Sequence, residues 1–325
     1  MKMANTTANT PTKRPRSYQV SEQFVILLVF LALVIVAFAL LNPNFLKLNN
    51  VLTILSISAV IGLVSLGQVL PLISGGFDLS VSGVVPLGGV LFAVLSNAGL
   101  PFLPTLLCVI VAGAACGLVN GLLITRLHIN PLIATLGTLS ITGGLALTIS
   151  NGLQIPFENT DMGVLADKGI FGVNNQVWLF IGLAIVMHIV LRSTAYGRRI
   201  YAVGGNGEAA RLAGIRVGAV TTSIYVLCSV FAALAGVVLA SQLLTGSGTA
   251  GIDTNLQSIT AVILGGAALS GGLGGVPGTV VGVLILGALS NGMSLNHVPS
   301  FYQTIATGVV LLLAVGLSQR RRRIL

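Results

Sequence analysis

Apolar residues in this chain form long runs, separated by short polar, glycine-rich or proline-containing segments. The run from Phe24 to Leu41 has 18 residues without a charge, which is about 27 Å of helix at 1.5 Å per residue. Runs of this kind are typical of helices that cross a membrane. The pattern predicts ten such helices, at 24–41, 51–73, 79–96, 103–125, 131–150, 177–192, 219–241, 257–270, 277–295 and 301–318.

The first run could instead be a secretory signal peptide, because it follows basic residues and ends near Ala37-Phe38-Ala39, which is weakly similar to a cleavage site. The apolar part of a signal peptide has roughly 7–15 residues. We therefore interpret the run as a retained first helix. Glycines interrupt the third, eighth and ninth predicted helices, which makes these three the weakest.

Composition indicates the same class of protein. Apolar residues make up 54% of the chain and charged residues only 7%, whereas soluble domains have roughly 25% charged residues. Glycine accounts for 41 of the 325 residues, and small residues allow membrane helices to approach closely and to break. The sequence therefore predicts an all-α membrane protein of about ten transmembrane helices with broken glycine-rich segments.

The distribution of basic residues predicts the orientation. If the N-terminus is cytoplasmic, 14 of the 16 basic residues lie on the cytoplasmic side and only Lys47 and Lys168 lie outside, as the positive-inside rule expects. The net charge of +9 then reflects topology and not nucleic-acid binding. The predicted organisation is a basic cytoplasmic tail (1–23), a membrane domain (24–318) and an Arg-rich cytoplasmic tail (319–325), with both termini inside.

Two polar segments, about 151–176 and 242–256, fall on the outer side. They are either plain connecting loops or a docking surface for an external protein. There is also a weak internal repeat, because ISGGFDLS (73–80) and ILGGAALS (263–270) align without gaps and each is followed by a proline. Many transporters contain repeats with interrupted helices at matching positions. Both copies have the same orientation in the predicted topology, and glycine-rich coincidence is the alternative.

The sequence offers little support for catalysis or cofactor binding. Gly205–Ala210 fits the pattern GxGxxA but lacks the strand and the downstream acid that a dinucleotide site needs, and no P-loop or HExxH motif occurs. The three histidines lie in separate segments. The odd number of cysteines, without CxxC spacing, favours buried free thiols over a disulfide or a metal site. We therefore expect no enzyme activity, no metal and no cofactor in this chain.

Polar residues inside the apolar runs are candidates for a substrate path. Asp78 lies between two runs, where an acid is costly at membrane depth, so it either contacts substrate or caps a broken helix; we favour capping. The uncharged candidates, Gln68, Asn97, Asn120, Thr135 and Asn291, together with Thr138 and Gln242, suit an uncharged hydroxylated substrate. Hydrogen bonding between helices is their alternative role. Ion-coupled transport is a rival function, although Asp78 is the single acid available for it.

Six of the chain's 23 charged residues lie between Arg192 and Arg216. This concentration suggests a segment that leaves the membrane to meet a soluble partner. Asn206 is a plausible N-cap for a short helix that ends at Gly214. The predicted contact residues are Gly205, Asn206, Glu208, Ala209, Ala210, Arg211 and Gly214. A generic positive-inside loop is the alternative.

Three motifs in order resemble one family. SGGFDLSVSG (74–83), GLVNGLLITRLHINPLIATLGTLSITGG (117–144) and TAYGRRIYAVGGNGEAARLAGIRV (194–217) are similar to segments of sugar-importing ABC permeases of the ribose, xylose and galactose type. The likeness runs from about residue 40 to the end. Val81-Ser82-Gly83 stands where Val-Gly-Ser is commoner, and Phe77 where isoleucine is usual.

The resemblance implies a permease subunit in the bacterial inner membrane that imports a pentose or hexose. It also implies three partners: an ATPase that carries the ATP and Mg²⁺ and is contacted by the 194–217 loop, an external solute-binding protein, and a second permease copy, identical or similar. Relatives that handle autoinducer-2, nucleosides or branched-chain amino acids share the general architecture.

Overall fold

The computed structural model describes the backbone of residues 16–324 and the side chains of residues 24–159 and 161–316. The predicted basic tails (1–23 and 319–325) lie outside the residues whose side chains are described. Within the described part the chain forms twelve α-helices: α1 (Arg16–Leu41), α2 (Leu48–Ile73), α3 (Val81–Asn97), α4 (Phe102–Thr125), α5 (Pro131–Ser150), α6 (Asn175–Ser193), α7 (Ala195–Gly205), α8 (Gly207–Leu212), α9 (Val217–Leu243), α10 (Thr254–Leu264), α11 (Val276–Leu295) and α12 (Ser300–Ile324).

Each of the ten predicted helices coincides with an observed helix. Seven helices in the described part are long and apolar enough to cross a membrane: α1 from Phe24 onward, α2, α4, α5, α6, α9 and α11. Three more are apolar but shorter: α3, α10 and the Ser300–Gly316 part of α12. The prediction of an all-α membrane protein is thus confirmed, and α7 and α8 occupy the charged segment between the sixth and seventh predicted helices.

Helix α9 lies at the centre of the bundle, packed against α2, α3 and α4. Glycines make the approach to α4 possible: a Cβ at Gly113 would lie 2.9 Å from the Ser229 carbonyl oxygen, and one at Gly117 would lie 2.4 Å from the Tyr225 carbonyl oxygen. Any larger residue would push the two backbones apart. The high glycine content therefore serves close helix packing, as the composition predicts.

The eighth predicted helix, 257–270, is wrong at its C-terminal end. Helix α10 stops at Leu264, and the chain then passes through glycines with positive φ, including Gly266 (94°) and Gly271 (78°). This backbone conformation is accessible to glycine and ends a helix. The remaining part of the predicted helix is a loop that leads to α11.

The two predicted outer loops pair with each other. Strand β1 (Gln154–Pro156) in the first runs antiparallel to strand β2 (Thr245–Ser247) in the second. Beyond β2, the second segment is not a plain surface loop, because it folds in along α3: Ser82 Oγ donates to the Ile252 carbonyl oxygen (3.0 Å). Helix α10 consequently begins inside the bundle, with Thr254 buried.

The two copies of the weak repeat occupy equivalent places. The first (73–80) separates α2 from α3, and the second (263–270) lies in the break between α10 and α11. The copies approach each other, since a Cβ at Gly75 would lie 3.8 Å from the Ser270 carbonyl oxygen. Each copy thus lies at the break between two consecutive helices. In many transporters, repeats contain such breaks at matching positions.

Candidate functional site

The charged segment contains a short helix with complete caps. Asn206 is the N-cap of α8 and its Oδ1 accepts from the Ala209 N–H (3.0 Å), as predicted. At the other end Gly214 has φ 82° and donates to the Arg211 carbonyl oxygen (3.0 Å), while Ile215 donates to that of Ala210 (3.0 Å). This paired pattern is a Schellman motif. The predicted start and stop of the helix are both confirmed.

The solvent face of α8 is polar at its centre and apolar at its edge. Arg211 forms a two-point ion pair with Glu208, at 3.0 Å from Nε and 2.6 Å from Nη2. The guanidinium holds the pKa of the Glu208 carboxyl below its ordinary value. Leu212 is 77% exposed, and Ala209 is exposed beside it. This face of α8 is therefore accessible to another molecule.

Ala210 has a different position from the one expected of a contact residue. It is buried within the chain's own core, so it anchors α8 to the bundle instead of meeting a partner. The helical period explains the difference, because adjacent residues point about 100° apart, so Ala209 lies on the exposed face of α8 while Ala210 lies on the face that packs on the bundle.

Helix α7 joins this segment to the bundle at what we call the glycine junction, formed by Ile73–Gly76, Tyr201–Gly205 and Gly271–Gly275. A Cβ at Gly204 would lie 1.8 Å from the Ile73 carbonyl oxygen. That carbonyl accepts from the Gly272 N–H (2.8 Å), and Tyr201 Oη donates to the Gly274 carbonyl oxygen (2.8 Å). Backbone meets backbone here, so a displacement of α7 has no flexible side chain to absorb it.

The same end of α2 leads directly to Asp78, which is completely buried. Its Oδ1 accepts from the Ser80 N–H (3.0 Å) and from the Ser80 hydroxyl. The arrangement is an Asx turn that fixes the break just before α3, which supports the capping interpretation. The second oxygen, Oδ2, receives no hydrogen bond from the residues that the structure describes.

A chain of buried hydrogen bonds continues from this turn. Asn120 Nδ2 donates to Ser80 Oγ (2.9 Å), and Thr138 donates to Asn120 Oδ1 (2.5 Å). On the other side the Cys228 thiol lies beside Asp78 and donates to Gln68 Oε1 (3.4 Å). Helices α4 and α5 therefore meet the turn before α3 through one buried polar network, and α9 meets α2 through a separate hydrogen bond beside it.

The other path candidates do not join this network. Asn97 contacts strand β1, donating to the Pro156 carbonyl oxygen (2.9 Å). Thr135 donates to the Pro131 carbonyl oxygen of its own helix (2.8 Å). Asn291 accepts from Asn50 (2.9 Å) and so links α11 to α2. Gln242 donates to a backbone carbonyl of α2. Thr135, Asn291 and Gln242 thus bond within or between helices, the alternative role considered for them, whereas Asn97 bonds to strand β1.

Sequence reasoning missed several residues of the site. Helix α7 and Tyr201 lie in a segment read as a loop, although its apolar positions (Ile200 and Val203, both buried) have helical spacing. Ser80 lies within the SGGFDLS motif but was not singled out. Cys228 was interpreted only as a packing thiol. The described residues contain no cluster of three or more potential metal ligands, and the three cysteines are free.

Comparison with known proteins gives one consistent result. The family described as "branched-chain amino acid transport system / permease component" matches residues 50–315. The chain is 38% identical to the ribose import permease RbsC of Bacillus subtilis (90% of this chain, 91% of the relative) and 37% identical to the L-arabinose permease AraH of Azospirillum brasilense (94% and 90%). RbsC of Escherichia coli K12 is 35% identical (93% and 94%).

No solved structure matches the chain. The family match and the relatives nevertheless cover most of its length, and the apolar helices agree with them. The chain is a multi-pass membrane permease, a transport component and not an enzyme, and it belongs to the family of branched-chain amino acid transport system permease components.

Proposed function

We propose that this chain is the membrane-spanning subunit of a bacterial ABC importer for a monosaccharide, with a pentose as the favoured substrate. The observation that carries the proposal is the similarity, over at least 90% of the chain, to permeases named for ribose and for L-arabinose. A largely uncharged polar interior is compatible with a neutral hydroxylated solute. ATP hydrolysis then belongs to a partner ATPase, and substrate arrives on an external binding protein.

The topology that fits this function has ten crossings with both termini in the cytoplasm. The three short apolar helices complete the count beside the seven long ones. The described arginines of the charged segment then lie inside, and the β1–β2 pair lies outside. The membrane domain spans 24–318, with basic tails at either end, and a second permease copy completes the transporter.

The ATPase contact in this proposal is α8, and α7 carries its movement inward. The ATPase meets Leu212, Ala209 and the Glu208–Arg211 pair on the exposed face. Because Gly204 packs directly on the Ile73 carbonyl oxygen, a shift of α7 also shifts the end of α2 and the turn that holds Asp78. Nucleotide state is thereby linked to the helix break inside the bundle.

Reconstitution tests the proposed function. The permease is purified with a candidate ATPase and a candidate binding protein and placed in proteoliposomes. We expect uptake of radiolabelled ribose or arabinose that requires ATP inside the vesicles. Uptake driven by an ion gradient without ATP would contradict the proposal. Uptake of leucine, isoleucine or valine in preference to sugars would show that the substrate is a branched-chain amino acid, as in the family's description.

The topology predicts which loops an impermeant thiol reagent reaches in intact cells. Single cysteines at Asp161 and Ser300, in a background without the three native cysteines, are expected to react from outside. A cysteine at Gly207 is expected to react only after the cells are opened. Labelling of position 207 in intact cells would show that α8 lies outside the cell, and this would refute the ten-crossing topology.

A polar residue at Leu212 tests the ATPase contact. We expect Leu212→Ser to leave insertion and folding intact, because the side chain is 77% exposed, but to weaken co-purification of the ATPase several-fold and to reduce uptake. Leu127→Ser is the matched control, since Leu127 is 65% exposed at the cytoplasmic end of α4. Equal co-purification with both variants would exclude α8 as the contact.

A further inference from the structure

A small polar cavity lies where α10 begins inside the bundle. It has a volume of about 220 Å³, lies between α10, α11 and α12, and is open to the surface at Asp253, Ser300 and Thr304. Most of its lining is polar, which is exceptional in a chain with 54% apolar residues. The lining residues are Asp253, Gln257, Leu289, Ser290, Met293, Ser300, Gln303, Thr304 and Thr307.

We propose that this cavity is a binding site for a neutral polyhydroxylated ligand, a monosaccharide of the transported class, on its way through the permease. The inference rests on the proposed function and deepens it, because it assigns the substrate a site within this chain. Discontinuous helices that begin inside a bundle form substrate sites in many transporters.

The carboxylate of Asp253 is available to a ligand. Asp253 occupies the N-cap position of α10, where aspartate usually caps the helix through its side chain, yet it makes no such hydrogen bond. Gln257, one helical turn later, has no side-chain hydrogen bond among the residues described. Both side chains line the cavity, so an acceptor and a carboxamide lie next to each other without internal partners.

The opposite wall is held rigid. Gln303 Oε1 accepts from Ser290 (3.0 Å), and its Nε2 donates to Ser294 (2.9 Å) and to the Val298 carbonyl oxygen (3.2 Å). Every polar atom of this amide is thus engaged, which fixes the side chain. A wall fixed in this way lowers the entropy cost of ordering the site around a ligand.

The donors and acceptors of the cavity determine the ligand class. The hydroxyls of Thr304 and Thr307 donate to carbonyl oxygens of their own helix (3.4 and 3.0 Å), so their oxygens face the cavity as acceptors. With the Asp253 carboxylate, acceptors outnumber donors, and a ligand must bring several O–H groups. The carboxylate disfavours an anion, and Leu289 and Met293 offer apolar surface to the C–H face of a sugar ring.

Saturation-transfer NMR on the purified permease, without ATPase or binding protein, tests the site directly. We expect saturation transfer to ribose or arabinose, with a millimolar Kd for the unmodified permease. In Asp253→Asn and in Thr304→Val we expect this Kd to rise at least about fivefold, which corresponds to roughly 1 kcal/mol of binding free energy. Asp161→Asn is the matched control, because it removes an exposed acid from the other outer segment and is expected to bind like the unmodified chain.

Three results would overturn the assignment. The first is the absence of sugar binding to the unmodified permease, and the second is sugar binding that the cavity variants leave unchanged. The third is stronger binding of choline than of the sugars, lost in Asp253→Asn, which would identify a cation site. The proposed function is judged separately by ATP-dependent uptake in the complete importer, so sugar uptake without a response to the cavity variants would refute the site alone.

Discussion

Replacing Gly204 by valine is expected to abolish most ATP-driven uptake. A Cβ at this position would lie 1.8 Å from the Ile73 carbonyl oxygen and 2.8 Å from the Gly272 nitrogen. Neither atom can move away as a side chain would, because the two are hydrogen-bonded to each other (2.8 Å). Helix α7 must therefore separate from the end of α2. Overpacking of this kind typically costs about 1–3 kcal/mol of folding stability.

A glycine of the preceding helix provides the control. A Cβ at Gly182 in α6 would meet nothing within 4 Å, so Gly182→Val adds the same side chain to the helix before α7 without the clash. Uptake in proteoliposomes and the midpoint of thermal unfolding are measured for both variants, together with ATPase co-purification. We expect Gly204→Val alone to lose uptake while it still inserts into the membrane. Equal behaviour of the two variants would mean that the glycine junction does not transmit movement.

Asp78→Leu is expected to reduce the amount of folded permease strongly. Leucine removes the acceptor for both the N–H and the hydroxyl of Ser80, which are completely buried. Leaving a buried donor without a partner costs about 1–3 kcal/mol, so the two together destabilise the fold by about 2–6 kcal/mol. The quantity to measure is folded protein in the membrane, by fluorescence-detected size exclusion.

Asp78→Asn separates the structural role from transport chemistry. Asparagine keeps the Oδ1 acceptor, and its amide replaces an oxygen that receives no hydrogen bond among the described residues. We expect near-normal expression and much of the uptake. Normal expression with abolished uptake would show instead that the carboxylate acts on the substrate or in the transport cycle.

Local features were predictable because they depend on residues close in sequence. An apolar run long enough for a membrane predicts its helix from composition alone, and all ten runs coincide with helices. The caps of α8 were equally accessible, because an N-cap Asn and a terminating Gly act within one helical turn. The end of α10 was missed, since the run at 257–270 remains apolar across the glycines where the helix stops.

The candidate site could be anticipated only in part. Gln68, Asp78 and Asn120 lie together, whereas Asn97, Thr135 and Asn291 form contacts elsewhere. All six had the same sequence signal, a polar residue in or beside an apolar run. Which of them meet depends on the rotation of each helix about its axis. That rotation is set by packing against other helices and not by local sequence.

The order of residues is enough to indicate that the chain is a helical membrane protein, where most of its helices run, and that residues 194–217 resemble the loop of a permease that meets its ATPase. These properties follow from hydrophobicity, charge and capping, which act over a few neighbouring residues. Three other features became visible in the folded chain: Gly204 packs on the Ile73 carbonyl oxygen, Ser80 links Asp78 to Asn120, and Asp253 lines a polar cavity. Each of these joins segments that are distant in the chain, and their distances are fixed only when the whole bundle has packed.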